Sequence, residues 1–493
     1  MRKNSRCLVA AYFSGLLVIA CGSNDGLSGH SLTYGSGSGG SGSDLHPGAA
    51  SGGSPGTNPV ICNCLDLPPS CPNGTQTGAG PCPCVECTQA AASLGGTSTS
   101  VNGATGRGGV GGMARGSGQS PGSGRGGAGG QSIPSSWADA SQCAGPSSSA
   151  GSPATDQGFF KAVGNMTSAR ESHTATKLAN GKVLVVGGYD AVNGKPLAGA
   201  ELYDPSSRVF VTTGKPSVVR IGHTATLLPN AKVLVAGGMD NGETRLETAE
   251  IYDPIAGTFT ATGNMTVARM RHTATMLSNG KVLLVGGGIP AVASAELYDP
   301  ASGTFVATGS MSVERVTHSA TLLKNGKVLV TGGYNNDSTN LTSAELYDPE
   351  VGKFSAIGSM AVGRTWFAAA LLDDGKVLIL GGYPGLGQAE LFDPVTGTFA
   401  ATGSLLVGRA DLTATLLASG KVLIAGGRNH CNQPLSSAEV FDPAKGAFVG
   451  TGSLTTASAA PTATLLEDGT VLVVGGDNNN VSLASSEIYV PSS

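Results

Sequence analysis

Residues 269–287 read RMRHTATMLSNGKVLLVGG and residues 295–311 read AELYDPASGTFVATGSM, and these two stretches decide the fold. HTATML alternates polar and apolar side chains with period two, the pattern of a half-buried strand. Asn279-Gly280 is a tight-turn signal, because both residue types accept positive φ. KVLLV is the returning strand, stopped by Gly286-Gly287. AELYD supplies a third strand; in DPASG, Pro300 fixes φ and Gly303 closes a turn, after which TFVAT forms a fourth. Four strands this short cannot bury both faces of their sheet alone, so the unit needs copies of itself.

The copies are present. A glycine doublet recurs seven times, at Gly187-Gly188, Gly237-Gly238, Gly286-Gly287, Gly332-Gly333, Gly381-Gly382, Gly426-Gly427 and Gly475-Gly476. A glutamate follows each one at the start of strand three: Glu201, Glu250, Glu296, Glu345, Glu390, Glu439 and Glu487. Residues 158–493 hold 336 positions, or 48 per unit, a propeller-blade length. The last unit stops at Val490-Pro491 without a fourth strand, whereas Phe160-Lys161-Ala162-Val163-Gly164-Asn165-Met166 fits the fourth-strand pattern before any first strand has occurred. Residues 158–166 are therefore expected to complete the last blade and remove the exposed edges of an open ring. The expected fold class is all-β, a seven-bladed propeller of four-stranded antiparallel blades over residues 156–493.

The unit resembles the kelch-repeat family. The glycine doublet, the downstream Tyr203, Tyr252, Tyr298, Tyr347, Phe392, Phe441 and Tyr489, and a later aromatic carry the likeness over about two-thirds of the chain. Kelch repeats commonly place Trp near the fourth strand. Here the position holds Phe160, Phe210, Phe259, Phe305, Phe354, Phe399 and Phe448, and Phe also fills the space between blades. The resemblance implies a propeller without fixing an activity. Some kelch-type propellers, the galactose oxidases, are copper radical enzymes using tyrosines, histidines and a Tyr–Cys crosslink. This propeller has a single cysteine, Cys431, beside His430, and no other histidine falls in its variable turns. That ligand set is incomplete, so no cofactor is expected, with calcium held by oxygen ligands kept open. Within residues 156–493 there is no G-x-S-x-G, H-E-x-x-H or phosphate-loop motif.

The chain reverses direction through each blade, so the turn before strand one and the variable turn after strand two open on one face. Arg170, Arg220, Arg269, Arg315, Arg364 and Arg409 stand there, with Ser458 in the seventh place. With the seven glutamates they are expected to be structural, as bidentate pairs tying blades together. Repetition in nearly every blade favours structure, since a site needs asymmetry. His173, His223, His272 and His318 give way to Phe367, Leu412 and Pro461 in later units, and are read as strand-start hydrogen-bonding groups. The variable turns (189–199, 239–248, 288–294, 334–343, 383–388, 428–437 and 477–485) differ in sequence and are rich in Asn, Asp and Gly. Turns on a rigid scaffold are the usual place for recognition. Ligand-binding candidates are Asp240, Asn241, Asn335, Asn336, Asp337, Arg428, Asn429, His430, Asp477, Asn478 and Asn479.

The N-terminal third reads differently. Arg2, Lys3 and Arg6 precede an apolar run too short for a comfortable membrane span, which reads as a signal peptide over residues 1–20. Val18-Ile19-Ala20-Cys21 resembles the lipobox of bacterial lipoproteins, which implies acylation of Cys21 and an outer-membrane address, with Gly22 rather than Asp next in line. Residues 21–155 are dominated by Gly, Ser, Pro and Ala, a composition that cannot offset the entropy of ordering; as a coil this linker would reach ~60 Å. A Cys-rich island at 60–89 holds Cys62, Cys64, Cys71, Cys82, Cys84 and Cys87, read as disulfides in an oxidising compartment, with zinc as the rival. Cys143 and Cys431 remain as a further candidate pair.

The formal net charge of −4 gives no basic footprint for nucleic acid. The expectation is a monomeric propeller tethered to a bacterial cell envelope, in membrane contact only through its lipid anchor. It would act as a binding or scaffolding module for polysaccharide or for an envelope or extracellular protein. The alternative is a carbohydrate-active or copper-oxidase-like enzyme with its site on the same face.

Overall fold

The computed structural model describes residues 156–492 apart from Gly242, together with the backbone of two N-terminal strands, Cys7–Phe13 and Leu16–Cys21. Those two strands pair antiparallel, Cys7 opposite Cys21. The Cys21 side chain, the linker, the six cysteines of its island and Cys143 lie outside the described residues. Cys431 is disulfide-bonded.

Residues 156–492 form seven four-stranded antiparallel sheets. Blade one runs Thr174–Lys177, Val183–Val186, Ala200–Asp204 and Val209–Thr212, in that spatial order. Five more blades repeat the order, opening at Thr224–Leu227, Thr273–Met276, Ser319–Leu322, Ala368–Leu371 and Thr413–Leu416. Blade seven takes Thr462–Leu465, Val471–Val474 and Ser486–Val490 from the C-terminus and Phe159–Ala162 from the other end, with Phe160 opposite Tyr489. The closure expected from residues 158–166 is therefore the observed one. Asp156 fixes this seam: Tyr489 Oη and Ser492 Oγ donate to its carboxylate at 3.2 and 3.0 Å, and Lys421 of blade six pairs with it at 3.2 Å.

The core lies between blades. Val183 and Val185 pack on Leu472 and Val474 of blade seven, while Leu184 and Val186 pack on Val233 and Val235 of blade two. The strand keeps its period of two, but both faces are dry, which is why the second strand reads as an unbroken apolar run. The aromatics of strands three and four pair in every blade, for example Tyr203 on Phe210 with centroids 4.9 Å apart. The glycine doublet makes this closeness tolerable: a Cβ on Gly187 would lie 2.6 Å from the Arg220 carbonyl of the next blade, and one on Gly188 would lie 2.6 Å from the Glu171 carbonyl.

Each repeated arginine is buried and clamps its own blade. Arg269 Nη1 donates to the carbonyls of Gly286 (2.8 Å) and Ser294 (2.9 Å), and Nη2 pairs with Glu296 at 3.0 Å. Glu296 also accepts the Thr266 amide at 2.7 Å, so it holds the segment arriving from the preceding blade. The ion pairs thus sit within a blade rather than between blades, and where Nε joins Nη2, as in Arg269 at 3.2 and 3.0 Å, both donate to the same glutamate oxygen. Contacts between blades come from other groups, such as Thr213 Oγ1 to Tyr252 Oη at 2.8 Å.

Candidate functional site

First strands line the axis, and the residues just before them shape a cavity of ≈ 510 Å³ at one end. The variable turns open on the same end. In every unit the second residue after the Arg170-type position adopts positive φ: Ser172 (53°), Gly222 (62°), Arg271 (52°), Thr317 (53°), Trp366 (50°), Asp411 (53°) and Ala460 (47°). At five of the seven junctions this conformation goes with a backbone hydrogen bond from one blade to the next. Arg271 N donates to Gly222 O at 2.8 Å, Asp411 N to Trp366 O at 2.9 Å, and Ala460 N to Asp411 O at 2.8 Å. All seven of these residues line the cavity, so the fold imposes one conformation and the sequence supplies seven different side chains.

Those side chains divide the rim. On the blade-four and blade-five side, Trp366 meets Tyr383 edge-on at 5.7 Å and Tyr334 at 6.3 Å. Tyr383 is about half exposed. On the blade-six, seven and one side stand Asp411, Arg428, Asp477 and Glu171. Arg428 forms a close ion pair with the fully buried Asp477, and its Nε lies 3.9 Å from Asp411. Burial pushes the Glu171 carboxyl up to about 7, with Asp477 and Asp411 pushing the same way against Arg428 and Arg271. Burial also raises Asp411 to about 6, against Arg428 and Arg271. Perturbed carboxyls gathered in one cavity are a recurrent mark of functional sites.

The four repeated histidines lie further in, also lining the cavity. Each bonds through Nε2 to a threonine of the preceding blade: His173 to Thr462, His223 to Thr174, His272 to Thr224 and His318 to Thr273, at 2.9–3.0 Å. Burial, with the nearby arginine adding to it, holds His173, His223 and His318 down at about 3 and His272 well below its ordinary value. They are neutral groups, each tied through Nε2 to one threonine of the preceding blade.

Of the residues singled out in the turns, Arg428, Asn429 and His430 line the cavity, and Asp477 is held against it by Arg428. Others serve the turns themselves. Asp240 Oδ1 accepts the Thr244 amide, Asn335 Oδ1 accepts those of Asp337 and Thr339, and Asn479 stands at φ 54° beside Asn478. Asn241 and Asp337 are exposed at turn tips. Asn336 forms a paired amide contact with the Ala291 backbone of the neighbouring blade, at 2.6 and 3.1 Å. Sequence reading missed Glu171, Arg271, Trp366, Tyr383 and Asp411. For all but Tyr383, which opens the variable turn 383–388, the available signal was the pair of unlike residues between the repeated Arg and the His position.

The family model for the Kelch motif matches residues 223–266, 315–361 and 414–449. The described body is thus a propeller of seven four-stranded blades in which those three stretches match the Kelch motif. No curated protein matches the chain. Solved structures similar to it number 932 chains, so the fold by itself selects no activity. One is a fungal alcohol oxidase of the AA5 family in complex with copper, similar at a TM-score of 0.56 and 19 % identity over 68 % of this chain and 76 % of that one. At that identity the likeness is one of fold. The residues here do not fit a copper site of the galactose-oxidase kind. Among the described residues no group of three or more His, Cys, Asp or Glu side chains is arranged to hold a metal ion. The inner histidines spend Nε2 on threonines, and Cys431 is disulfide-bonded.

Proposed function

We propose that this kelch-repeat propeller is a binding module for polysaccharide, tethered through Cys21 to a bacterial cell envelope, with its ligand seated in the axial cavity. The observation that carries the reading is that the aromatic pair Trp366 and Tyr383 lines the same cavity of ≈ 510 Å³ as the buried Glu171 and as Asp411 and Arg428. Sugar rings present an apolar face to aromatic rings and hydroxyls to charged hydrogen-bonding groups, and pockets that bind small ligands combine the same two ingredients. The test is a glycan-array screen of the full chain, followed by calorimetry on any hit. Trp366→Ala is expected to weaken binding at least tenfold, equivalent to ~1.4 kcal/mol, with the melting temperature little changed. A hit indifferent to Trp366→Ala but lost on substituting Asn335 and Asp337 would move the site to the turn tips.

A catalytic reading has one observation in its favour: Glu171 and Asp411 are two carboxyls raised toward neutrality in one cavity, a requirement of acid–base chemistry on glycosides. Product formation from a bound glycan would establish it.

A further inference from the structure

Seven seats ring the inner part of the cavity, one per blade, at the position of the repeated histidine. Blades one to four fill theirs with His173, His223, His272 and His318, and blades five to seven with Phe367, Leu412 and Pro461. The seats are equivalent. A Cβ on Gly187 would lie 2.8 Å from the His223 ring, and a Cβ on Gly332, Gly381 or Gly426 would lie 2.7, 2.9 or 3.2 Å from Phe367, Leu412 or Pro461. Three apolar side chains in successive seats therefore give the cavity an apolar arc beside a polar one. The outer positions repeat the division. Trp366, Tyr383 and Pro384 belong to blade five and Ala460 to blade seven, whereas Ser172, Arg271 and Thr317 stand on blades one, three and four.

One acceptor interrupts the apolar arc. Asp411 stands between Trp366 and Ala460 in the belt of positive-φ positions, joined to them by backbone hydrogen bonds of 2.9 and 2.8 Å. Its side chain is 27 % exposed, and Arg428 Nε lies 3.9 Å away, beyond hydrogen-bonding distance; the carboxyl can be reached from the cavity it lines. An acceptor set among apolar side chains suits a group that carries a methyl and an N–H side by side. The lining also balances in charge, with Arg271 and Arg428 against Glu171 and Asp411, so a ligand of either net charge would meet repulsion as well as attraction. The acetamido group of an N-acetylated amino sugar fits these conditions: it is uncharged, its methyl is apolar, and its amide N–H needs an acceptor when desolvated. A bare hydroxyl in the same place would lose water against Phe367 and Leu412 with no apolar surface of its own to bury. The hydroxyls of the sugar ring remain for Ser172, Thr317, Asn429 and Asn432.

We infer that the axial cavity selects an N-acetylhexosamine unit, with Asp411 accepting the acetamido N–H and the methyl seated against Phe367, Leu412 and Pro461. The inference rests on the polysaccharide reading above and narrows it to one sugar class. The test titrates the full chain by calorimetry at pH 7.5 with three hexamers of one β-1,4 backbone: N-acetylglucosamine, glucose and glucosamine. The N-acetylglucosamine hexamer is expected to bind roughly tenfold more tightly than either of the others, the effect of one methyl in an apolar seat and one hydrogen bond to a carboxylate. Two variants that keep the fold divide that preference. Asp411→Gly removes the acceptor where Gly222 shows that the belt accepts glycine, and should cut the preference to about threefold, whereas Asp411→Asn keeps an acceptor oxygen and should retain most of it. Pro461→His gives blade seven the imidazole of blades one to four, with Thr413 of blade six in the place of their threonine partners, and should likewise cut the preference to about threefold by shortening the apolar arc. Melting temperatures of the variants report that they are folded. Equal affinity for the N-acetylglucosamine and glucose hexamers, or tightest binding of the glucosamine hexamer, would overturn the acetamido selection while leaving the polysaccharide reading intact. A preference unchanged in both Asp411→Gly and Pro461→His would overturn the assignment to this arc. Binding of none of the three would remove the inference, and with a blank glycan array the polysaccharide reading as well.

Discussion

Arg364→Ser and Arg269→Ser should destabilise the propeller by clearly different amounts, although both arginines are fully buried and both donate Nη1 to two carbonyls and Nη2 to the glutamate of the blade. Removing one partner of a buried ion pair typically costs ~3–5 kcal/mol, because the other charge is left uncompensated. Blade seven already lives without the arginine. There Ser458 Oγ donates to the Gly475 carbonyl at 2.7 Å, and the hydroxyl of Thr455 donates to Glu487 at 2.8 Å. The residue in the place of Thr455 is Thr266 in blade three and Ala361 in blade five. Both already give their amides to the local glutamate, at 2.7 and 2.8 Å, but only Thr266 has a hydroxyl to turn onto it. A hydrogen bond to a charged group contributes ~1.5–3 kcal/mol, so Arg269→Ser should cost ~2 kcal/mol less than Arg364→Ser. With an unfolding entropy of ~2.1 cal/mol/K per residue over roughly 340 residues, 1 kcal/mol corresponds to ~1.4 °C. Arg364→Ser should then lower the melting temperature by ~4–7 °C and Arg269→Ser by ~3 °C less, read by calorimetry. Adding Ala361→Thr to Arg364→Ser should recover the difference. Equal losses at the two sites, or no recovery in the double variant, would refute the account of how Glu487 is satisfied.

Three further outcomes follow from other parts of the structure. Ala231 sits at φ 64° in a turn where the other units place glycine, such as Gly181 and Gly280; Ala231→Gly should stabilise by ~1 kcal/mol, measured by denaturant titration. Glu171 is buried with its carboxyl raised from 4.5 to about 7, so the folded state holds a proton that the unfolded state has released between those values. Its contribution therefore makes stability fall as pH rises from about 4.5 to 7, by at most ~3 kcal/mol, and Glu171→Gln should flatten that part of the stability–pH curve. Asp156→Ala removes the acceptor shared by Gly158, Tyr489 and Ser492 and the partner of Lys421. Proteolysis should then cut first at the Phe159–Ala162 strand, and stability should fall by ~2 kcal/mol.

The fold was legible because it is repeated. The doublet at Gly187-Gly188 recurs in all seven units, and each copy meets the same carbonyl collision that forbids a side chain. The displaced fourth strand was legible for a related reason: Phe160 fits a pattern already defined by Phe210 and its counterparts, so its early position could only mean closure. The site was hidden by the same repetition. Trp366 and Asp411 occupy a place filled elsewhere by Ser172, Gly222, Arg271, Thr317 and Ala460, and no consensus forms where every unit differs. Composition misled in the turns as well. Asn335, Asn429 and Asp240 look like ligand groups, but their oxygens accept amides two to four residues on, which is the ordinary work of such side chains in turns.

The belt around the axis separates what the fold requires from what the cavity requires. Its hydrogen bonds join only main-chain atoms, amide to carbonyl from one blade to the next, so any residue that tolerates positive φ would serve. Glycine does so without penalty at Gly222. Six other positions adopt the same conformation with a Cβ, which costs roughly 1–2 kcal/mol each for an L-residue. For the bulky Trp366 and the β-branched Thr317, that conformation is an outlier. The belt's hydrogen bonds offset part of this cost, and the side chains of the strained positions that line the cavity include Trp366 and Asp411. Strain concentrated in a ring of dissimilar residues around a cavity is the pattern of a binding site held open by its scaffold. The inner histidines make the contrast plain. Four of them repeat one bond to threonine in successive blades, and where Phe367, Leu412 and Pro461 replace them the blades still pack. Uniformity marks the parts that build the ring, and the blade-by-blade differences two residues after each Arg170-type position mark the part that the proposed ligand would meet.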